Sequence, residues 1–326
     1  MTQSGLHRTV SVAAALVVST SAVLAASAQA ALPERYGQLA NTAAQPTSID
    51  WSAVEQALGK TGTMMPGGVL RIGMPRSDLA VTVEGVPVQA GFALGSYAAF
   101  RPMDDGSVMV MGDLVLLDEE VPGVMAGLFG RGFQVTALHN HLNQVTPHVM
   151  YLHYEGMGDA VQLATGLHDA LGSSNTPLGP NPPASPPPWQ LDADALQGII
   201  GHNGQVNNGV LAIGVPRAET VTEHGVEILP SMGVTTALNF QPTEGVRAAV
   251  TGDFALTGDE VNPVASTLHS AGVKVTAIHQ HHIGEEPRLF YMHFWANDEP
   301  VKLATALRAT LDLTNSAPPV VVAATQ

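Results

Sequence analysis

The chain carries a long internal duplication, and a repeat fixes architecture before any single element is considered. Residues 112 to 141 align without a gap on residues 252 to 281, an offset of 140, and 13 of those 30 positions are identical. The same offset continues through Tyr151 and Tyr291, His153 and His293, and the signature Val161-x-Leu163-Ala164-Thr165-x-Leu167 against Val301-x-Leu303-Ala304-Thr305-x-Leu307. Upstream, Gly68-Val69-Leu70-x-Ile72-Gly73-x-Pro75-Arg76 matches Gly209-Val210-Leu211-x-Ile213-Gly214-x-Pro216-Arg217 one residue out of step. Seven prolines within residues 173–188 exclude helix and sheet and predict a semi-stiff linker. Repeat domains are therefore expected at residues 46–172 and 189–314, followed by a flexible tail at 315–326.

Each copy reads in the same order. A short helix from Asp50 to Leu58, matched by Asp192 to Ile200, begins at an Asp N-cap and ends at Gly59 or Gly201. Strand-like runs follow at Val69–Gly73, Val81–Val88, Gly95–Phe100 and Val108–Leu116, punctuated by Gly and Pro. A helix is expected near Glu119–Phe129, then a hairpin of Gln134–Leu142 and Val149–Tyr154, then a closing helix, Asp159–Leu171, with Val161, Ala164, Leu167 and Leu171 on one face. This pattern predicts two tandem α+β domains, each a mainly antiparallel sheet covered on one side by about three helices.

Charge and the N-terminus give an address. Acids outnumber bases 28 to 13, a net charge of −15, so nucleic acid is excluded as a partner for the molecule as a whole. His7 and Arg8, the apolar run from Val10 to Ala26 and the small-x-small step Ala28-Gln29-Ala30 read as a signal peptide over residues 1–30. No other run approaches membrane length, so no membrane span is expected after cleavage, and the mature chain is expected to be periplasmic or secreted. There is no cysteine. Disulfides, thiol catalysis, cysteine-type zinc sites and a thioether lipid anchor are all excluded, and stability must come from burial or from bound metal.

Six of the 13 histidines occupy paired positions: His139 and His279, His141 and His281, His153 and His293. Side chains two apart on a strand share a face, so an H-x-H pair projects together, and a returning antiparallel strand can bring the third ring beside or diagonal to them. Three imidazoles converging this way can hold a divalent metal and leave a position open for water or substrate. Zinc, copper and similar ions all suit imidazole. A hydrogen-bonded histidine cluster with a structural or proton-handling role is the competing reading, and a one-residue slip in register would send His153 to the opposite face.

The nearest carboxylates are Asp113 with Asp253, and Glu120 with Glu260. The aspartates lie at a Gly-Asp step inside a strand run, where the alternatives are a bulge and a carboxylate that hydrogen-bonds a ligating histidine from behind and orients it. The glutamates are candidate general bases or fourth ligands, although Thr257-x-x-Glu260 also fits a helix capping box. Tyr151 and Tyr291 alternate in phase with His153 and His293 and are expected on the same face. Arg76 and Arg217 have either a structural salt bridge or an anionic ligand open to them. No nucleophile elbow, phosphate loop or dinucleotide fingerprint is present.

The strings Gly-Asp-Leu-x-Leu-x-x-x-Glu-Val (112–121), Val-Thr-Ala-Leu-His-Asn-His-Leu (135–142), Met-Tyr-Leu-His (150–153) and Val-x-Leu-Ala (161–164) resemble the LppY/LpqO family of exported bacterial proteins, a domain of unknown function. The resemblance covers both copies and implies an exported protein, without implying a reaction. Copy two departs from the pattern with Gln280 in place of Asn140 and His282 in place of Leu142. Two functional expectations follow. One is a metal-dependent hydrolase acting on a small-molecule or envelope ester, amide or phosphate, with one metal in each repeat. The other is a non-catalytic metal- or ligand-binding envelope protein. If the copies pack face to face about a pseudo-twofold axis, their sites approach each other.

Overall fold

The structure, a computed structural model, describes Met1, residues 49–180 and residues 189–320. The expected signal peptide, from its second residue on, lies outside the described residues. Both repeats belong to one compact unit.

Repeat one opens with helix α1 (Trp51–Leu58), where Asp50 accepts a bond from the Ala53 N–H at 3.1 Å and Gly59 closes the helix in the left-handed conformation. Strands β1 (Thr63–Met65) and β2 (Val69–Pro75) follow. The run expected as one strand at 81–88 is instead a hairpin, β3 (Val81–Val83) and β4 (Val86–Val88). The reason is local: Glu84 and Gly85 both take positive φ, 51° and 81°, which turns the chain back on itself. Then come α2 (Ala90–Ala93), β5 (Gly95–Pro102), β6 (Val108–Leu117), α3 (Val121–Gly130), β7 (Gln134–His139), β8 (Val145–Thr146), β9 (Val149–Gly158) and α4 (Ala160–Leu171). Six strands form one antiparallel sheet in the order β1-β2-β5-β6-β9-β7.

Repeat two keeps this order, with a 3-10 turn (Pro230–Met232) in place of α2 and an isolated bridge in place of β8, as α5 (Ala193–Ile200), β10 (Gly204–Asn207), β11 (Val210–Pro216), β12 (Val221–Glu223), β13 (Val226–Ile228), β14 (Thr235–Pro242), β15 (Ala248–Leu256), α6 (Gly258–Ser270), β16 (Lys274–His279), β17 (Phe290–Asp298) and α7 (Pro300–Leu311). Its sheet runs β10-β11-β14-β15-β17-β16. The two tandem α+β domains read from the sequence are thus present.

Strand β6 shows why the sheets are buried on both faces. Val108, Val110, Leu114 and Leu116 point to the helices α1, α3 and α4 and join Leu128, Leu163 and Leu167 in one core. The alternate residues Met109, Met111 and Val115 point the other way and pack on side chains of repeat two. Each such fully buried aliphatic side chain contributes about 1.5–3 kcal/mol. Two junction clusters result. In one, Val81, Val88 and Phe92 of repeat one meet Val210, Ala249 and Trp295 of repeat two, with the Phe92 and Trp295 rings 6.1 Å apart edge to face. In the other, Val221, Ile228 and Met232 of repeat two meet Val69, Ala99 and Met111 of repeat one. Each repeat packs its β-hairpin arm against the other's sheet, a reciprocal arrangement about a pseudo-twofold axis.

The Gly-Asp step contains no bulge. Strand β6 pairs with β9 without interruption, Gly112 opposite Tyr154 and Asp113 opposite His153. Glycine is required there because a Cβ at Gly112 would sit 2.2 Å from the Tyr97 carbonyl oxygen and 2.5 Å from the Tyr154 hydroxyl.

The two stretches read as linker and tail are tied down at their starts. The Gly179 N–H bonds the Gly59 carbonyl, Lys60 Nζ donates to the Pro177 and Gly179 carbonyls, and Leu178 packs on the repeat-one core. Correspondingly, the Ala317 N–H bonds Pro216 and the Val320 N–H bonds Gly201. The chain through residue 320 is thus held by backbone bonds, where a free tail had been expected from 315; residues 321–326 lie outside the described residues.

Candidate metal centre

The six paired histidines come together in one cluster at the junction, rather than in two clusters of three. His139 stacks on His279 with ring centroids 3.5 Å apart, His141 on His293 at 3.6 Å, and His153 on His281 at 4.0 Å. Every one of these pairs joins the two repeats. Tyr151 covers His141 at 3.3 Å and Tyr291 covers His281 at 3.4 Å, so the tyrosines expected on this face are present on it. Reciprocal hydrogen bonds fix the halves: Thr136 Oγ1 donates to the His281 carbonyl and Thr276 Oγ1 to the His141 carbonyl, both at 2.6 Å.

The elements place the rings as follows. His139 ends β7 and His279 ends β16, so His141 and His281 reach the cluster from the connections beyond those strands, not from the strands themselves. His153 and His293 lie on the long strands β9 and β17, opposite Ala137 and Ala277 and diagonal to His139 and His279. A register shift between Val135 and Ala137, repeated between Val275 and Ala277, sets that diagonal.

In all six rings Nε2 has no hydrogen-bond partner although it is buried. The opposite nitrogen is accounted for where a carbonyl faces it. His293 Nδ1 donates to Gly252 O at 2.8 Å, and the Nδ1 atoms of His281 and His279 lie 3.3 Å from the carbonyl oxygens of Gly233 and Gln280. A carbonyl only accepts, so Nδ1 carries the proton there and Nε2 presents a bare lone pair. For these three rings, all in repeat two, backbone carbonyls thus supply the orienting role that metal-bound histidines need, whereas His139 Nδ1 is buried without a partner. Burial keeps the rings neutral: His139 is pushed down to about 3, with the charge of His279 adding to burial, and His279 to about 4. His141, His153, His281 and His293 lie well below the ordinary imidazole range for the same reason.

Three all-histidine triads have ligand atoms within 4.8 Å of one another: His139, His141 and His279; His139, His153 and His281; His279, His281 and His293. Two of the three mix the repeats. These groups can hold a metal ion.

The aspartates sit among the ligand atoms and not behind the rings. Asp113 Oδ1 lies 3.8 Å from His153 Nε2, and Asp253 Oδ2 lies 3.8 Å from His281 Nε2, facing the nitrogen without a partner. Asp113, His141 and His153 form a further candidate triad. Burial raises the Asp253 carboxyl to about 7, and burial with the charge of Asp253 raises Asp113 well above the usual range.

Glu120 and Glu260 are not brought to the histidines. Arg76 donates Nη1 to Glu120 Oε2 at 2.6 Å and Nη2 to Oε1 at 3.1 Å, and the Leu117 and Asn175 N–H groups complete the carboxylate. Arg217 repeats the arrangement on Glu260 at 2.6 and 3.0 Å, with the Thr257 and Asn315 N–H groups. Burial pushes both carboxyls up, but these bonds outweigh it and hold them below the usual range. With their oxygens committed to guanidinium and backbone, neither glutamate is a general base, and Arg76 and Arg217 are structural. The capping box of Thr257 and Glu260 is present as read.

A cavity of about 730 Å³ opens on the cluster, lined by His141, His153, His281 and His293, both aspartates, and Arg71 and Tyr97. The guanidinium of Arg71 lies 3.6 Å above the Tyr97 ring and donates to the Ser231 carbonyl at 2.8 Å. Sequence reasoning missed both, because duplication was its signal and their counterparts in copy two are Ala212 and Ala237. Thr136 and Thr276 were passed over too, although their identity across the copies was a signal that could have found them.

No curated protein matches the chain. Among solved structures, the crystal structure of EtuB from Clostridium kluyveri is similar at 10% identity over 78% of this chain and 91% of that one, with a TM-score of 0.19, too low to carry an argument. Residues 52–173 and 194–313 each match the family described as Domain of Unknown Function (DUF1259), and the chain belongs to that family, as two tandem copies.

Proposed function

We propose that this is an exported metalloprotein whose two repeats jointly build one histidine metal centre, and that the centre serves hydrolysis of a small anionic ester, amide or phosphate of the cell envelope. The observation that carries the reading is the convergence of six buried imidazoles, each with Nε2 unpartnered. A buried polar atom without a partner costs about 1–3 kcal/mol, and six in one place are an expense that packing does not explain. The one-site-per-repeat arrangement gives way to a shared centre because the tightest ring pairs all cross the junction. The motif resemblance to LppY/LpqO proteins and the signal-peptide pattern read in residues 1–30 support export.

A divalent ion held there would lower the pKa of a bound water toward neutrality and polarise a substrate oxygen. The chain's own groups supply the rest. Arg71 is the one Lys or Arg among the residues lining the cavity, placing positive charge where an anionic group or developing oxyanion would sit. Asp253, facing His281, is positioned to accept a proton from a nucleophilic water. Phe92 and Leu142 in the cavity wall exclude bulk water from one side.

The competing reading, a non-catalytic metal-binding protein, is favoured by one observation: six imidazoles suffice to fill a coordination shell, whereas catalysis needs an open position. The test is metal analysis of protein purified without a His tag, followed by turnover of generic ester and phosphate substrates with and without chelator. Bound metal with chelator-sensitive turnover supports the hydrolase. Bound metal without turnover leaves the binder, and metal-free protein that cannot be loaded overturns both.

A further inference from the structure

A second group of donors, two buried carboxylates with an exposed histidine, lies beside the histidine centre, on one side only. Glu155 follows His153 by two residues on β9 and shares its face; Glu223 ends β12, and His224 begins the turn after it. Glu155 is 4% exposed and Glu223 0%. His224 Nε2 lies 2.9 Å from Glu155 Oε1 and 3.6 Å from Glu223 Oε1, and the Gly284 N–H donates to Glu223 Oε1 at 3.0 Å. The remaining oxygen of each carboxylate, Oε2, is buried without a partner. One ligand atom from each of the three residues lies within 4.8 Å of the others.

The pseudo-twofold axis provides an internal control. The positions equivalent to Glu155 and Glu223 are Trp295 and Val83, and both belong to an apolar junction cluster. The fold therefore fills this place with hydrocarbon in one half and with two carboxylates in the other, so packing does not require the acids. Two buried carboxylates repel each other, and even a protonated His224 would balance only one of them. Glu285, also buried, is engaged by the Leu289 N–H and by Arg288, so the nearby cation Arg288 is committed to a different carboxylate.

We propose that Glu155, Glu223 and His224 form a second divalent-cation site, distinct from the histidine centre and taking an ion that accepts mixed carboxylate and imidazole ligands. Two carboxylates and one neutral imidazole match manganese, iron(II) or zinc, and the two anionic charges are balanced by one such ion. The site exists once among the described residues, because the positions equivalent to its two carboxylates are apolar and Glu84, equivalent to His224, is paired with Lys274.

Manganese is the probe, since it favours oxygen donors over an all-imidazole site. Crystals of the full chain soaked in manganese chloride are expected to show an anomalous peak bounded by Glu155, Glu223 and His224. In solution, one equivalent of manganese is expected to lose its free electron-paramagnetic signal. Glu155→Gln combined with Glu223→Gln keeps shape while removing both charges; it is expected to weaken that binding at least tenfold and to leave zinc bound at the histidine centre. Manganese density confined to the histidine centre, or unchanged affinity in the folded double variant, overturns the proposal. If the variant does not fold, the map of the unsubstituted protein decides alone.

Discussion

Two kinds of buried polar cluster occur in this molecule, and they are built on opposite accounting. At the outer layer, Arg76 with Asp78 and Glu120, and Arg217 with Glu219 and Glu260, have their charged groups met by ion pairs and backbone groups; Arg76, for instance, also donates to the Val115 carbonyl at 2.9 Å. At the junction, six buried imidazoles have no hydrogen-bond partner for Nε2. The first kind ties the start of α3 or α6 to its sheet and closes within the protein. The second is complete only with something the chain does not supply. Duplication preserved both, so recurrence marks importance without distinguishing structure from chemistry; hydrogen-bond satisfaction distinguishes them.

The comparison predicts a hierarchy of effects. The largest belongs to the clamps. Arg76→Met leaves Glu120 buried and uncompensated and is expected to cost about 3–5 kcal/mol in denaturant unfolding, with metal content per folded chain unchanged. A cost below about 1 kcal/mol would show that the clamp does not hold α3 to the sheet.

Metal removal comes next. A ligand held only by the folded state stabilises it by about 2.7 kcal/mol when its free concentration is a hundredfold above the dissociation constant. Chelator is therefore expected to lower the thermal midpoint of the unsubstituted protein clearly more than that of a His139→Ala, His279→Ala variant. An identical chelator response in both proteins would break the link between these rings and the ion.

Smaller still is the junction bond. Thr136→Val removes one hydrogen bond to the His281 carbonyl and is expected to cost about 1 kcal/mol, with Thr276→Val costing the same within error if the axis is energetically symmetric. Unequal costs, read from denaturant midpoints, would show that one half carries the junction.

The smallest effect concerns acid. Hydrogen bonding to Arg217, against a smaller opposing effect of burial, holds Glu219 down at about 2, and Glu260 also lies below its ordinary range. Folded values below the unfolded ones mean that this stabilisation is fully present above about pH 4.5 and is lost as pH falls toward 2. Partial exposure of Glu219 screens its share. Stability measured from pH 6 to 2 should fall less steeply in Arg217→Met; parallel curves would remove the clamp from the acid response.

Much of the fold was legible because local signals and the repeat agreed. Asp50 and Gly59 bound α1, and Thr257 with Glu260 opens α6, through chemistry readable in four residues. The hairpin at Glu84-Gly85 was missed because that dipeptide is a weak turn signal beside the valines flanking it. The three histidine positions were legible because each occurs twice. That the copies share one centre was not, since an alignment pairs His139 with His279 as equivalents and says nothing of their stacking. Arg71, Tyr97, Glu155 and Glu223 were invisible for the converse reason: each has lost, or never had, a partner at the matching position.

The shared centre is tested most directly by His279→Ala combined with His281→Ala. This variant disrupts all three all-histidine triads and leaves His139, His141 and His153 of repeat one untouched. Anomalous scattering from zinc-loaded crystals is predicted to show no ion among those three remaining rings. A zinc peak held by His139, His141 and His153 alone would mean that each repeat keeps its own metal, contradicting the account.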